Sequence, residues 1–550
     1  MTFSTSSEQS DQKTQATARG VPRRLIRDRV LWLAFALGIA ACLAIYFHLP
    51  YVNGPRGPKQ WVWPYMHRSI LLESLLGAVW RLALGALVIG GAAWLVGCRL
   101  KQEKARQRLG LLALFLWGVF FVWTSLAAAT PWGLARVARI VKSPTWTSYL
   151  TLAQWIRDGR QPPLAVTLER YAELIPEFPL HARTHPPGLV LASYGLLSLF
   201  DSNPRLSATL AKLYAEIGAD PESVGVEQLT TIDVTAVTLA CLTVIIGLLG
   251  VFPIFWVAQG AMKQTAGAAD EAARRTAWTA AALWVHYPAL VLMLPAFDLV
   301  YPPLALLCII LAMKGLNERP VAWGVTLGLA FMTGIFLTFP LLLLAPLLCI
   351  VAVLELSRRA GSFRPVSILG QASLRSPGGR RLWILTGATV VTCVAVETVL
   401  RYMFHIHLMQ IFFAAVHHQN TVELAKLNRT FRVWVFYNIW DFLLFAGLPL
   451  AVLALVWFAR AFREAWRDPA GLMPALAAFP LMVLIVDLSH QLSAETARVW
   501  LFLAPGIVWA GAAEMVHRAG DRWRRVLVGL LLAQALFIYV CRTNMMLWGF

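Results

Sequence analysis

The sequence predicts an all-α polytopic membrane protein of about 13 transmembrane helices, with a large first external loop region that carries juxtamembrane helices. Three observations carry that prediction. Of 550 residues, 58% are hydrophobic and only 14% charged, against about 25% charged in a soluble domain. Mean hydropathy is +0.62, and apolar runs long enough to cross ~30 Å of hydrocarbon recur along the chain. Short basic clusters separate them, at Arg23–Arg29, Arg99–Arg108, Arg358–Arg381, Arg460–Arg467 and Arg518–Arg525. The runs are continuous and do not alternate, which excludes a β-barrel. Lipid requires backbone polar groups to be satisfied internally, which leaves helices.

Taken in order, residues 1–20 are rich in Ser, Thr and Gln and read as disordered. With the arginines that follow, 1–29 forms a cytoplasmic tail. No small-residue cleavage site follows the run 30–49, so it is read as a retained first span and not a signal peptide. Further spans are expected at 70–98, 109–130, 231–258, 277–294, 299–315, 321–337, 338–356, 382–400, 435–459, 473–488, 499–515 and 525–541. Residues 30–108 then hold two additional N-terminal spans, 109–356 a membrane core, 357–381 a basic cytoplasmic loop, and 382–550 the C-terminal membrane helices.

The apolar run 187–200 decides the topology. As a helix it is about 21 Å long, short of the hydrocarbon core. Counted as a span, it puts the arginine-rich, acid-free loop Arg358–Arg381 outside, against the positive-inside rule. Laid on the outer surface, it puts every basic cluster inside. The N-terminus is therefore expected in the cytoplasm, the C-terminus outside, and 131–230 and 401–434 as external loops. In this map nine of the 11 histidines lie outside or at the outer boundary, so polar chemistry is expected there. The net charge of +19 belongs to cytoplasmic loops and anionic headgroups, not to nucleic-acid binding. Seven cysteines form no CxxC pair and read as packing residues, without a disulfide framework or zinc site.

The external segments hold the candidate chemistry. In LHARTHPPG, Leu180 to Gly188, His181 and His185 bracket Arg183, and Pro186 and Pro187 fix the chain direction. The guanidinium can hold a lipid phosphate bidentately and the imidazoles can donate to it or shuttle a proton; the corner also reads as an interfacial cap of snorkelling basic residues. Asp298, alone in LPAFDLVYPP, is either a functional carboxylate or the N-cap of the next span. Asp158, Glu173 and Glu177 are the loop acids offered as a general base; the spacing 169, 173, 177 equally makes a solvated helix face. His405, His407, His417, His418 and Arg429 make 401–434 a basic surface for phosphate, or an amphipathic interfacial helix. Glu495 and Arg498 either pair with each other or reach substrate. Which metal, if any, is unknown; a divalent cation stays open as a cofactor.

These features resemble the multi-spanning C-type glycosyltransferases, the group of dolichyl-phosphate-mannose protein mannosyltransferases and bacterial aminoarabinose transferases. His185-Pro186-Pro187-Gly188 is similar to that family's His-Pro-Pro corner before a juxtamembrane helix, and Asp298 stands at the place of its second acidic position. The resemblance covers about 109–356. It implies an inverting transfer of a sugar from a polyprenyl-phosphate donor to a glycan, lipid or protein acceptor, at the outer face of a bacterial plasma membrane, in contact with membrane lipids. The chain departs from the family in one place: the stretch Pro131 to Leu150, where the main catalytic acid is expected, contains none. Either the base comes later, from Asp158 or Glu169–Glu177, or the chain lacks one. Two alternatives stand beside this expectation. One is a non-catalytic headgroup-binding or scaffold protein of envelope assembly. The other is a transporter, which the scarcity of mid-span charges and of Gly/Pro-broken repeat pairs disfavours.

Overall fold

The computed structural model describes residues 21–56, 60, 62–66, 104–129, 133–218, 228–264, 270–423, 430–469, 473–490 and 492–547. Helices joined by short turns make up the described residues; the one extended pairing among them is an isolated antiparallel bridge between Tyr65 and Met545. The chain is a multi-pass, all-helical membrane protein.

Eight described helices are long and apolar enough to cross a bilayer, or nine if a bent pair is one span. Among the described residues the expected count of about 13 is not reached, for identifiable reasons. The span at 70–98 lies outside the described residues. The run 277–294 is a 16-residue helix, Asp270–Val285, interrupted before Pro288, which has no amide to continue the ladder. The run 435–459 is two helices, Phe431–Phe445 and Leu448–Arg467, bent by 114°. Gly447 makes that bend at φ 82. A Cβ there would lie 1.8 Å from Gln534 Oε1, while Gln534 Nε2 donates to the freed carbonyl of Ala446 at 3.0 Å. The run 473–488 forms a helix of only 16 residues, Pro474–Ser489. The last apolar stretch, Leu501–Asn544, counts once, although Gly520 (φ 54) divides it into the helices Ala504–Ala519 and Trp523–Asn544, one at each of the two runs expected there.

Two helices contrast in packing. Asp270–Val285 exposes its charged first turn, but every residue from Thr276 to Val285 is buried, with Trp284 fully enclosed. By contrast, Pro377–Phe404 buries only Gly378, Gly379 and Leu385, and its main seam is with Pro320–Leu337. Opposite that seam stand Gly324 and Gly328, where a Cβ would come within 2.7 Å of Ala388 Cβ and of Thr392 Cβ. Small residues four apart let the two backbones approach where lipid supplies no hydrophobic drive.

The described residues of 133–230 form short helices. Gly133–Lys142 buries Leu134, Ala135, Val137 and Ala138, and its Lys142 pairs with the buried Asp233. Asp233 also closes a capping box with Thr230 that starts the helix Thr231–Leu249. The polar stretch expected at 149–158 is the helix Tyr149–Arg157. The short apolar run is the helix Gly188–Ser202, 15 residues long. It packs on Tyr149–Arg157 and Thr231–Leu249. Two sequence expectations are corrected. The first helix begins at Val21, inside the tail drawn as 1–29. Glu169, Glu173 and Glu177 do not share one helix: Leu164–Glu169 and Tyr171–Leu174 part at Arg170, and Pro176 allows only a 3-10 turn, Ile175–Glu177.

Candidate functional site

The corner is set by backbone chemistry. Leu180–Thr184 forms a 3-10 turn, and His185 is extended (φ -124, ψ 153), as a residue before proline prefers. Gly188 then starts a helix against the end of Pro320–Leu337. A Cβ at Gly188 would lie 2.1 Å from the carbonyl oxygen of Phe336, so only glycine permits this approach. Two hydrogen bonds dock the corner on the preceding turn: Ala182 N donates to Ser148 Oγ at 2.9 Å, and Leu180 N to the Pro144 carbonyl at 3.2 Å.

Two other segments arrive from far along the chain. Asp298 stands in the 3-10 turn Phe297–Val300, immediately before the helix Tyr301–Asn317. Arg498 stands in the single turn Thr496–Val499. Arg498 Nη2 is 2.5 Å from Glu495 Oε2, and its Nε is 3.6 Å from Asp298 Oδ2. Tyr149 joins them to the corner. Its ring meets Phe297 edge-on at 5.2 Å and His185 at 5.5 Å; His181 and His185 lie 6.4 Å apart. Thus His181, His185, Asp298 and Arg498, all singled out from sequence, belong to one cluster with Glu495 and Tyr149.

The cluster's charged and imidazole side chains are half-buried, and its electrostatics follow. Burial, then the repulsion of Arg498 and His185, holds His181 well below the ordinary imidazole range. Burial pulls His185 down to about 4. Both rings are therefore neutral at pH 7. His185 Nδ1 is 2.9 Å from the His181 carbonyl, so that nitrogen carries the hydrogen and Nε2 the lone pair. Burial opposes the charge of Arg498, but Glu495 and Asp298 outweigh it and hold the guanidinium protonated. Burial pushes the Tyr149 hydroxyl far above its usual range. One guanidinium thus faces two carboxylates and two neutral imidazoles. Such a set can take a proton from a hydroxyl and hold an anion that develops nearby.

The other candidates fall elsewhere. Glu173 is exposed and pairs with Arg170 at 2.8 Å; Glu177 is exposed as well. Asp158 pairs with Arg157 at 3.0 Å, which also reaches Asp201 at 3.2 Å. None of these three acids makes a contact of the Asp298 cluster. Arg183 donates its Nε to the Phe178 carbonyl. In the helix Leu408–His418, His417 is exposed and His418 buried; the helix lies against the turns that lead into the corner. Arg429 lies outside the described residues. Sequence reading missed Tyr149 and Tyr301. Tyr301 follows Asp298 by less than one turn and acts electrostatically on both Tyr149 and Arg498. The available signal was a tyrosine at the polar start of each helix, facing a lone acid or a histidine pair. For a divalent ion, no group of three His, Cys, Asp or Glu ligands exists among the described residues, and no metal-borne step is assigned.

No family model matches the chain, and neither does any curated protein. Two solved structures of the oligosaccharyltransferase of Archaeoglobus fulgidus show a partial likeness. One, a complex with Zn and sulfate, is 14% identical over 74% of this chain and 52% of its own, with a TM-score of 0.37. The other, the archaeal oligosaccharyltransferase AglB with an inhibitory peptide and a dolichol-phosphate, is 11% identical over 80% and 56%, with a TM-score of 0.39. The chain spans about half the length of these proteins.

Proposed function

We propose that the protein is a membrane glycosyltransferase that moves a sugar from a polyprenyl-phosphate donor to a glycan, lipid or protein acceptor on the extracytoplasmic face of a bacterial plasma membrane. The observation that carries this reading is the meeting of Asp298 and Arg498, 3.6 Å apart, beneath the His181–His185 corner. Three segments distant in sequence supply a carboxylate, a fixed cation and two neutral hydrogen-bonding rings. That is the equipment an inverting transfer to a hydroxyl requires.

In the proposed step Asp298 takes the proton of the acceptor hydroxyl. The oxygen attacks the anomeric carbon from the face opposite the phosphate. The bond from that carbon to the phosphate oxygen breaks, and its electron pair leaves on the lipid phosphate. Arg498 holds that charge, and the neutral rings of His181 and His185 accept hydrogen bonds from hydroxyls of the sugar. Glu495 keeps Arg498 charged and aimed. Asp298 takes over the role that the sequence expectation gave to Asp158, Glu173 and Glu177. The N-terminus lies in the cytoplasm and the C-terminus outside, with the domain limits as drawn from sequence except that the first helix begins at Val21.

The test is transfer of labelled sugar from a polyprenyl-phosphate donor by the purified protein in nanodiscs. Transfer should be lost in Asp298→Asn. Undiminished product from both Asp298→Asn and Glu495→Gln ends the enzyme reading. A cysteine placed at Ser202 should be labelled from outside only. One observation favours a non-catalytic headgroup-binding or scaffold protein: Arg498 is already engaged by two carboxylates. Donor binding without turnover in the wild type would establish that alternative.

A further inference from the structure

Arg498 is reached through a strained turn. Ala494 (φ 68) and Glu495 (φ 51) are consecutive non-glycine residues in the left-handed region, a conformation that persists only where its surroundings impose it. The imposing element is one face of the helix Phe431–Phe445. Asn438 Oδ1 accepts from Ala494 N at 3.0 Å, and the Asn438 carbonyl accepts from Thr496 Oγ1 at 2.6 Å. One turn on, Asp441 Oδ2 accepts from Ala497 N at 2.9 Å and lies 3.1 Å from the same Thr496 hydroxyl. The Asn438 amide is itself aimed by Asp487, to which its Nδ2 donates at 3.0 Å, and Asp441 Oδ1 accepts from Trp63 Nε1 at 2.7 Å. Asn438 and Thr496 are completely buried, so water cannot substitute for a lost partner.

From this geometry we infer that Asn438 and Asp441 are positioning residues for the Arg498 site. They touch none of the proposed reacting groups. They bind the backbone on both sides of Glu495 and so hold its carboxylate and the Arg498 guanidinium in the register that meets Asp298. The turn alone would relax out of the left-handed pair, and Arg498 would follow. A fold requirement anywhere in the bundle could be met by an apolar contact; here four acceptor contacts converge on the amides and hydroxyl of one short segment. The inference rests on the proposed reading of Arg498 as a phosphate-holding group, and its test separates the two.

The experiment compares the full-length wild type, Asp441→Asn, Thr496→Val and Thr496→Ser in nanodiscs. Hydrogen exchange is read at the amides of Ala494 and Ala497. Asp441→Asn and Thr496→Val should exchange at least about tenfold faster there while the rest of Phe431–Phe445 is unchanged, and Thr496→Ser, which keeps the hydroxyl, should restore wild-type protection. Retention of a polyprenyl phosphate is read in parallel. Asp441→Asn should weaken it about tenfold, and adding Asp441→Asn to Arg498→Lys should weaken it no further, because the first residue acts through the second. Unchanged amide exchange, or independent multiplication of the two binding effects, overturns the inference. A wild type that retains no polyprenyl phosphate sinks the functional reading instead, and the exchange data still decide the positioning role.

Discussion

Two segments of this chain carry paired histidines among basic residues, and they have opposite fates. In the corner His181–His185 both rings are half-buried, held neutral and gathered near Arg498. In the segment His405–His418 the last two rings split, His417 to the surface and His418 to the interior. By composition the two are alike. What separates them is the double proline and Gly188, which lock the corner against Phe336 and the Ser148 turn. The comparison teaches that a chain-stiffening element next to a packing partner, and not the density of basic residues, marks where polar groups become a site.

The comparison can be broken most forcefully at the acid that only the corner faces. Asp298→Asn should lower sugar transfer by about 100- to 10,000-fold, the range for loss of a general base, measured as initial rate with labelled donor; a wild-type rate would remove the corner's privilege. Next in size is Gly188→Ala. Its Cβ cannot be housed 2.1 Å from the Phe336 oxygen, and thermal unfolding should show destabilisation of about 1–3 kcal/mol, as for overpacking. A third expectation concerns acid. His185 has a folded pKa of about 4, below its ordinary 6.5. The stability linked to its neutral ring is therefore complete above pH 6.5 and is lost as pH falls towards 4. The melting temperature of the wild type should drop across that window, and that of His185→Gln should drop less; parallel curves would contradict the burial of the ring. Smallest of all, His417→Ala should change stability by no more than about 0.5 kcal/mol, the range for exposed positions. A larger loss on chemical denaturation would show that the second segment is as built as the first.

Much of this was legible in the residues. Asp298 stood out as a lone acid in an apolar setting, and a buried carboxylate needs a partner; the partner, Arg498, was visible as one member of a pair with Glu495. Their convergence was not legible, because it depends on where the turns Phe297–Val300 and Thr496–Val499 are carried by unrelated helices. Proximity in sequence misdirected the choice of loop acids: Glu173 and Glu177 lie nearest the corner along the chain, yet Pro176 and Pro179 turn them to solvent. The bend at Gly447 was written in Ala446-Gly447-Leu448-Pro449, but unbroken hydrophobicity on both sides overrode it, since a bend with a partner for its freed carbonyl is tolerated in lipid. Tyr149 and Tyr301 gave no periodic signal, because a single aromatic at a helix start is ordinary packing until its neighbours are known.

The backbone stitch between Tyr65 and Met545 has a consequence for biosynthesis. Met66 N donates to the Asn544 carbonyl at 2.9 Å, and Met546 N to that of Pro64 at 2.7 Å. The segment that presents Trp63 to Asp441 is thus fastened by residues the ribosome adds hundreds of codons later. Until translation reaches Met546, the early segment waits without its clasp, and products released prematurely would offer the cell's proteases an unlatched strand.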